Sequence, residues 1–402
     1  MKLISIRFFN NNENQYKKFF LLFLICNVVF IINIVKEKII KRKIALSKGK
    51  KYMEHCFNGE LLNDNIKKFS GNIKISIVIP AYNCQNTIKA VVRSIQNQNM
   101  ADIEIILVND NSKDNTSKII YELAEEDTRI KIINNEKRMA TLYSRNIGIL
   151  KSKGKYILNL DNDDLFMNTD LFDTLYDEAE NGKFDLVGFS AVKSRSYNSS
   201  ISKMKDTDFH NHKDGLTVYQ PELTYYSISK NNKYSPNDLH VWGRLTKTEI
   251  YKEAINNFGK NALGEIRNSC FVTWAEDSSM SMVIYRYARS YKFIQKYGIF
   301  HYVSDQTSSN TSKMDLKKYG ELFFIDTVFD FSHDDFKGKK YPIQMLNEMI
   351  FNKNYNINNE KNINYLKAIL DKILTCQYIT LENKKKAKKY SDIVNSIKSQ
   401  YI

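Results

Sequence analysis

The chain has 402 residues, of which 43% are hydrophobic and 12% aromatic, so it is long and apolar enough to bury a core and is not a disordered protein. Its 14 glycines and 4 prolines exclude collagen-like and Pro/Gly-rich classes. The 60 Lys and Arg residues exceed the 45 Asp and Glu residues by 15, which favours an anionic partner such as a phosphate, a nucleic acid or a membrane surface. The five cysteines are scattered and form no CxxC pair, which predicts neither a disulfide framework nor a zinc site.

An uninterrupted apolar segment over residues 19–35, FFLLFLICNVVFIINIV, predicts a membrane-spanning helix preceded by a short tail, 1–18. Segments of about 17 to 25 apolar residues can cross a bilayer, so this one is at the short end of the range. The alternatives are a buried helix of a soluble protein and a cleaved signal peptide, but no small-residue cleavage site follows. We therefore expect a single-pass membrane protein.

The basic residues beside this segment bear on its orientation. Four Lys or Arg residues precede it, and eight lie between Lys36 and Lys51. This asymmetry favours a cytoplasmic location for the C-terminal side. An anchor in the endoplasmic reticulum or Golgi of a eukaryote, with the rest of the chain in the lumen, would need the opposite orientation, and the sequence leaves the side open.

Residues 36–72 are basic and polar with little periodicity, which predicts a stem or linker. From residue 73 short β-branched runs alternate with helical spacing such as Ile88, Val91, Val92 and Ile95. The predicted strands are 73–80, 103–108, 130–133, 156–160 and 184–192, with helices around 88–95, 119–123 and 141–150. This alternation predicts an α/β fold with a mostly parallel sheet flanked by helices.

In parallel sheets ligands bind beyond the carboxyl ends of the strands, where this chain places amides and carboxylates. Asp161 and Asp163 follow the fourth strand at i and i+2, a spacing that can direct both carboxylates to one side. Hard oxygen ligands of this kind suit Mg²⁺ or Mn²⁺. The alternative is an Asp-rich turn that caps the next helix. His240 and His301 are interpreted as core histidines, with a phosphate contact left open for His301.

Two common nucleotide-binding motifs are missing. The sequence has no GxxxxGK[ST] loop, and it has no GxGxxG after a predicted strand, so a P-loop protein and a dinucleotide-dependent dehydrogenase are disfavoured. It also has no RRM, zinc-finger or helix-turn-helix pattern, so we expect no nucleic-acid partner despite the positive charge.

Five ordered motifs together resemble family 2 glycosyltransferases, which have the GT-A fold. They are SIVIPAYNCQNTI (76–88), EIILVNDNSKDNT (104–116), RIKIINN (129–135), SRNIGI (144–149) and GKYILNLDNDD (154–164), followed by VWGRL (241–245) and WAEDSSMS (274–281). The resemblance covers a GT-A domain over 73–310 and does not extend to the tail, the anchor or the linker. Residues 311–402 lie outside it as well, and their charge and helical periodicity predict a helical C-terminal extension. Within that extension, the run Lys384–Lys389 is interpreted as a solvated helix face, with membrane-surface contact as the alternative.

The resemblance implies a donor side to the site. Pro80, Ala81, Tyr82 and Asn83 would line the nucleotide pocket, and Asp110 would accept a hydrogen bond from the uracil of a UDP-sugar. The family usually has Asp and Gly where this chain has Asn109 and Asn111, so the identity of the base is less certain than the role of Asp110.

The same resemblance places further residues around the sugar. Arg145 would lie near the donor, Asp163 would be the main contact of Mn²⁺ or Mg²⁺, and Asp161 would lie nearer the sugar and ribose. Asn162, between the two carboxylates of this DXD-type segment (161–163), would be a further donor-binding residue. On the acceptor side the resemblance implies Asp277 as general base, with Glu276 beside it and Trp242 shaping the pocket.

The chemistry implied is inversion: a carboxylate deprotonates an acceptor hydroxyl, which attacks opposite the leaving nucleoside diphosphate. The acceptor could be a glycan, a lipid or a protein.

Each key residue has a structural alternative. Asp110 could form an Asx turn, and Arg145 could pair with a surface acid. Asp277 could cap the following helix, and Trp242 could be a core aromatic residue. A catalytically inactive scaffold or binding protein of the same family is the competing function, suggested by Asn109, Asn111 and the unusual stretch 137–144.

Overall fold

The computed structural model describes residues 13–63, 68–206, 214–220, 222–223, 229–230, 233–234, 240–303, 314–331, 345–346, 359–377, 379 and 381–398. Most of the predicted tail, part of the 193–240 loops and the junction between the predicted domain and the C-terminal extension lie outside these residues.

Ten helices are described, and the amphipathic spacing seen in the sequence accounts for the shorter ones. They are α1 (Glu13–Phe57), α2 (Ile88–Gln96), α3 (Thr116–Glu126), α4 (Ala140–Lys151), α5 (Leu171–Gly182), α6 (Thr248–Asn256), α7 (Glu276–Tyr287), α8 (Met314–Phe331), α9 (Glu360–Thr375) and α10 (Leu381–Lys398).

The described strands match the predicted ones closely up to the fourth. They are β1 (Ile75–Ala81), β2 (Ile103–Asn109), β3 (Ile130–Asn134), β4 (Tyr156–Asn159), β5 (Leu165–Phe166), β6 (Leu186–Ser194), β7 (Lys205–Asp206), β8 (Thr217–Tyr219), β9 (Ser229–Lys230), β10 (Lys233–Tyr234), β11 (Arg244–Lys247) and β12 (Ser290–Tyr302).

The main sheet runs in the order β3-β2-β1-β4-β11-β6-β12-β5, and β9 and β10 form a separate hairpin. The pairs β1–β2, β1–β4, β2–β3 and β6–β12 are parallel, as the strand–helix alternation predicts. The antiparallel strand β11 separates β4 from β6, and the sequence pattern did not predict it. The predicted α/β fold with a mostly parallel sheet is therefore confirmed.

The sheet is buried on both faces, because β1 is apolar at every position except Ser76. Successive residues of β1 belong to different core clusters. Val78 belongs to the cluster that includes residues of α6 to α9, and Ile77 and Ile79 belong to the cluster that includes residues of α2. The C-terminal helices α8 and α9 therefore share a continuous core with the sheet.

Residues 36–57 are not a linker, which corrects the prediction for 36–72. Helix α1 continues through the apolar segment without a break and ends at Phe57. Its last turns bury Leu46, Met53 and Cys56 against the domain, and Arg42 pairs with Asp206 at 2.6 Å. Lysines interrupt the apolar pattern, but Leu46, Met53 and Cys56 recur at helical spacing, which was the available signal.

The apolar N-terminal part of α1, in contrast to its last turns, is not buried against the domain. From Phe20 onwards the helix contains an 18-residue window of mean hydropathy 2.1 that is not buried in the structure, so by length and composition it could cross a membrane.

Helix α8 lies unusually close to the segment that carries Glu276 and Asp277. A Cβ placed on Gly320 would lie 2.1 Å from the carbonyl oxygen of Trp274, so only glycine allows this approach. Lys317, one turn earlier, lies 4.4 Å from the centre of the Trp274 ring. The C-terminal helices thus support the start of α7 from outside the predicted GT-A domain.

We expect Gly320→Ala to destabilise the protein by about 1–3 kcal/mol, because the new methyl group must displace the backbone at Trp274. Helix propensity alone predicts the opposite sign, since Ala is favoured over Gly by about 1 kcal/mol inside a helix. Thermal denaturation of the full chain shows whether Gly320→Ala lowers or raises the stability. A stabilised variant would disprove the close approach of α8 to Trp274.

Candidate functional site

The candidate site lies at the carboxyl ends of the neighbouring strands β2, β1 and β4. Hydrogen bonds join the segments that follow them. The Asp110 backbone N–H donates to the Ala81 carbonyl at 2.8 Å, and Asn162 Nδ2 donates to the Pro80 carbonyl at 3.0 Å. The predicted nucleotide-pocket residues 80–83 are thus held between the segments of Asp110 and of the DXD motif.

Tyr82 and Asn83 form the turn after β1. Asn83 has a left-handed φ of 48°, and its Oδ1 accepts a hydrogen bond from the Lys113 backbone N–H at 2.8 Å. The guanidinium of Arg138 lies 4.2 Å from the centre of the Tyr82 ring and 5.5 Å from that of Phe271. Arg138 and Phe271 were not singled out from the sequence, because neither belongs to a recognisable motif.

Asp110 is buried and organises the start of α4. Its carboxylate accepts hydrogen bonds from Asn135 Nδ2 at 2.8 Å, from the Met139 N–H at 2.7 Å and from the Ala140 N–H at 2.9 Å. It therefore binds a distant segment instead of forming an Asx turn with its own neighbours. The uracil contact remains a prediction for this residue.

Arg145 joins the two sides of the predicted site. Its side chain is 2% exposed, its Nη1 lies 2.5 Å from Asp277 Oδ1, and its Nη2 lies 3.0 Å from Asp161 Oδ1. Although burial opposes ionisation, Asp277 and Asp161 raise the pKa of Arg145 further above its usual value. Arg145 does not pair with a surface acid; it brings together two carboxylates that are 116 residues apart in the chain.

Asp277 lies in the first turn of α7, whose N-cap is Ala275, so the side chain does not act as the cap. Glu276 precedes it in the same turn. Burial and the adjacent Asp277 raise the pKa of Glu276 to about 8. The α7 N-terminus therefore presents one carboxylate paired with Arg145 and one carboxyl group that holds its proton near neutral pH.

The DXD-type segment concentrates three carboxyl groups. Burial and the neighbouring Asp164 and Asp161 raise the pKa of Asp163 to about 8. Burial also raises the pKa of Asp161 and of Asp164, against the effects of Arg145 and His301 respectively. The segment therefore resists full ionisation of its three carboxyl groups, and a bound cation would favour their charged forms.

His301 is the main cationic partner of Asp164, with Nδ1 at 3.0 Å from Oδ1. Burial lowers the pKa of His301, but Asp164 outweighs it and raises the value to about 9. The imidazole stacks on Trp242 with ring centres 4.9 Å apart. Trp242 is 2% exposed, so it is a core aromatic residue whose ring supports the edge of the carboxylate cluster.

The donor set fits a hard divalent cation. Within the described part of the chain, no group of three or more His, Cys, Asp and Glu side chains is arranged to hold a metal ion. Asp161 and Asp163 still offer carboxylate oxygens. Burial, Asp164 and Asp161 raise the pKa of Asp163 against the effect of His301, so a bound cation would favour its ionised form. Mg²⁺ is commonly bound by one or two carboxylates, with water and substrate phosphate as the other ligands.

Four of the five described non-glycine residues with positive φ lie around this edge of the sheet: Asn83, Asn111, Ala140 and Ala275. Such conformations cost free energy and are found mainly where the surrounding structure imposes them, often at functional sites. Here the two alanines begin α4 and α7, the helices that carry Arg145 and Asp277.

Comparison with known proteins identifies the class. Residues 76–255 match the family model described as glycosyl transferase family 2. The structure is similar to S. aureus TarS 1–349 in complex with UDP-GlcNAc, with a TM-score of 0.54, 14% sequence identity, and coverage of 76% of this chain and 82% of that one. At this identity the likeness concerns the fold, and it confirms the GT-A-like architecture.

Curated relatives carry glycosyltransferase names. The Bacillus subtilis uncharacterized glycosyltransferase EpsJ is 27% identical over 58% of this chain and 62% of its own length. A Campylobacter jejuni GalNAc(5)-diNAcBac-PP-undecaprenol beta-1,3-glucosyltransferase is 26% identical over 44% of this chain and 61% of its own length. The Escherichia coli UDP-Glc:alpha-D-GlcNAc-diphosphoundecaprenol beta-1,3-glucosyltransferase WfaP is 38% identical over 25% of this chain and 40% of its own length. The chain thus spans less than two thirds of each of these relatives.

We expect Ala140→Gly to stabilise the protein by about 1 kcal/mol, because glycine adopts a φ of 69° without the steric cost that a Cβ carries there. Ala124→Gly inside α3 is the matched control and should destabilise by about 1 kcal/mol. Chemical denaturation measures both; equal losses in the two variants would show that Ala140 is not strained.

The raised pKa of Glu276 predicts a pH-dependent effect of Glu276→Gln. The folded protein holds the Glu276 proton up to about pH 8, whereas the unfolded chain releases it near the ordinary value of 4.5. Ionisation of Glu276 in the unfolded chain therefore lowers the stability of the wild-type protein as the pH rises from about 4.5 to about 8. A glutamine cannot ionise, so the stability of Glu276→Gln relative to wild type should increase across this interval and level off above it.

Melting temperatures measured at about pH 5 and about pH 8.5 provide the readout. Glu122→Gln on α3 is the control, since the Glu122 side chain is 57% exposed and lies away from this cluster. A pH-independent difference between Glu276→Gln and wild type would contradict the raised pKa.

Proposed function

We propose that this chain is a membrane-anchored, inverting glycosyltransferase that transfers a sugar from a UDP-sugar to a hydroxyl group. In this proposal Asp161 and Asp163 hold Mn²⁺ or Mg²⁺, and Asp277 is the general base. The match of residues 76–255 to the family 2 model and the curated names of the relatives support glycosyl transfer from a nucleotide-sugar.

The observation that carries the proposal is the Arg145 bridge. It connects Asp161, on the expected donor side, with Asp277, on the expected acceptor side, through contacts of 3.0 and 2.5 Å. A glycosyltransferase needs its donor-binding carboxylates and its base within reach of one anomeric carbon, and a single guanidinium sets this spacing here.

On the donor side, Tyr82 and Asn83 would line the nucleotide pocket, and Asp110 keeps the start of α4 in place beneath it. When bound, Mn²⁺ or Mg²⁺ would supply positive charge that stabilises the departing diphosphate. Arg145 adds a permanently charged guanidinium beside the same cluster, so the leaving group would meet cationic charge from the protein as well.

On the acceptor side, we assign proton abstraction to Asp277. Arg145 engages Oδ1, which fixes the carboxylate plane and assigns Oδ2 to the acceptor hydroxyl. Proton transfer to Oδ2 accompanies attack of the hydroxyl on the anomeric carbon, from the face opposite the diphosphate. One base suffices, because inversion forms no covalent sugar–enzyme intermediate. Glu276, with its raised pKa, would stay protonated and add no second charge beside the base.

For the acceptor we propose a lipid-linked hydroxyl compound at a membrane surface. The exposed apolar part of α1 supports this, and so do the names of two relatives, a GalNAc(5)-diNAcBac-PP-undecaprenol glucosyltransferase and a GlcNAc-diphosphoundecaprenol glucosyltransferase. The excess of Lys and Arg after residue 35 favours a cytoplasmic catalytic domain. Because α1 continues directly into the folded domain, the site would stay at a fixed position relative to the bilayer.

Two substitutions test the division of roles. Asp277→Asn keeps the shape and the contact with Arg145 but cannot accept the proton, so turnover should fall by about 100- to 10,000-fold while UDP binding persists. Asp163→Ala should lose turnover and also weaken UDP binding in the presence of Mn²⁺. The measurements are UDP release from nucleotide-sugars and calorimetric titration with UDP, both with the full chain in lipid nanodiscs.

Asp371→Asn, on the exposed face of α9, is the matched control and should behave like wild type in both assays. Normal turnover by Asp277→Asn would disprove the base assignment. A wild-type chain that binds UDP but releases none from any nucleotide-sugar would favour the inactive scaffold.

A further inference from the structure

Tyr197 connects the end of the N-terminal helix with the DXD-type segment. It lies in the otherwise exposed loop after β6. Its ring packs edge-on against Phe57, the last residue of α1, with centres 4.5 Å apart. Its other close neighbour is Tyr302, on which it stacks at 4.5 Å with the ring planes 8° apart. The ring is therefore held between α1 and β12.

The hydroxyl group of Tyr197 points to the proposed metal-binding residue. Tyr197 Oη donates a hydrogen bond to the backbone carbonyl of Asp163 at 2.5 Å. On the far side of Asp163, the Tyr302 N–H donates to Asp164 Oδ1 at 2.9 Å. Residues 163 and 164 are thus held by the same pair of stacked tyrosines.

The rest of the segment is held from the opposite side. Asn162 Nδ2 donates to the Pro80 carbonyl at 3.0 Å, and Thr87 Oγ1 donates to the Asn162 carbonyl at 2.7 Å. These contacts come from the nucleotide-pocket side of the sheet, whereas Tyr197 comes from the side of α1. Without Tyr197, the backbone at Asp163 would lose its link to the α1 side.

Helix α1 also touches the chain just beyond the segment. A Cβ on Gly49 would lie 2.6 Å from Met167 Cε and 3.2 Å from the Met167 carbonyl oxygen. Leu46 and Met53, on the same face of α1, share a buried cluster with Leu165, Met167 and Phe300. The helix therefore supports the segment at two points, through Tyr197 and through Met167.

We propose that Tyr197 is a positioning residue for the donor site, and that α1 acts through it to fix the DXD-type segment. The inference rests on the proposed function, because it assumes that Asp161 and Asp163 receive the nucleotide diphosphate. It assigns the membrane anchor a second role: the helix that inserts into the bilayer also sets the backbone that presents Asp163.

The first test is Tyr197→Phe, which removes the hydroxyl group and keeps the stacked ring. We expect the Kd of the full chain for UDP in the presence of Mn²⁺ to rise roughly three- to tenfold, the range that loss of one hydrogen bond gives. Calorimetric titration in lipid nanodiscs measures this binding without any turnover.

Tyr156→Phe is the matched control. Tyr156 also has a buried ring and a hydroxyl group that donates at 2.6 Å, to Glu180 Oε1, but it lies at the amino end of β4, away from the site. It should lower the melting temperature without changing the Kd for UDP. If Tyr197 had only a structural role, Tyr197→Phe would likewise lower the melting temperature and leave the Kd for UDP unchanged.

A second pair of variants tests the contribution of α1. Phe57→Ala removes the ring that packs on Tyr197, and the Kd for UDP should rise in the same direction as in Tyr197→Phe. Leu62→Ala is its control, since Leu62 is 43% exposed compared with 40% for Phe57 and lies just beyond the helix. The Kd of Leu62→Ala should equal that of wild type.

The measured affinities distinguish a failure of the positioning role of Tyr197 from a failure of the proposed function. If wild type binds UDP and both Tyr197→Phe and Phe57→Ala bind it equally well, the positioning role is overturned and the proposed function stands. If wild type does not bind UDP with Mn²⁺, the proposed function is overturned and the positioning role with it.

Discussion

The buried guanidinium of Arg145 is the constraint on which the site depends. A fully buried charge is costly unless it is paired, and removing one partner of such a pair typically costs about 3–5 kcal/mol. Arg145 is paired twice, with Asp161 and Asp277, so the fold keeps both carboxylates beside it. The geometry of the proposed donor side is therefore tied to that of the proposed base, Asp277, through one side chain.

Helices outside the segment that matches the family 2 model contact both sides of the proposed site. Gly320 of α8 lies against the backbone of Trp274, three residues before Asp277. Phe57 of α1 lies against Tyr197, which reaches the backbone of Asp163. The residues that match the family model begin at 76 and end at 255, so neither helix belongs to the matched segment. The N-terminal helix and the C-terminal extension are thus structural parts of the site.

The sequence predicted the elements whose signal is local. Strands β1 to β4 are short apolar runs, and helices α2 to α4 have clear amphipathic spacing, so both were found within a few residues of their ends. Strand β11 was not predicted, because RLTK is short and polar and becomes a strand only by pairing with β4 and β6. The continuation of α1 was missed because lysines mask its buried face.

The same distinction applies to the site. Resemblance to the family proposed Arg145, Asp161 and Asp277 as residues of one site, and the structure brings these three together. The resemblance could not give the contacts among these three residues, since those contacts depend on how α4 and α7 pack. Tyr197 carries no motif and acts through a ring contact and one hydrogen bond to a backbone carbonyl, so no pattern in the sequence indicates it. The sequence predicts His301 as a core histidine, whereas its pairing with Asp164 follows from the register of β12 against β5, in which Phe300 pairs with Leu165.

The most direct test of the central claim is an experimental structure of the Asp277→Asn chain with a UDP-sugar and Mn²⁺. The account predicts that the diphosphate lies against Asp161 and Asp163, and that the anomeric carbon faces residue 277 across Arg145. A nucleotide bound elsewhere, or a sugar that points away from residue 277, would contradict it.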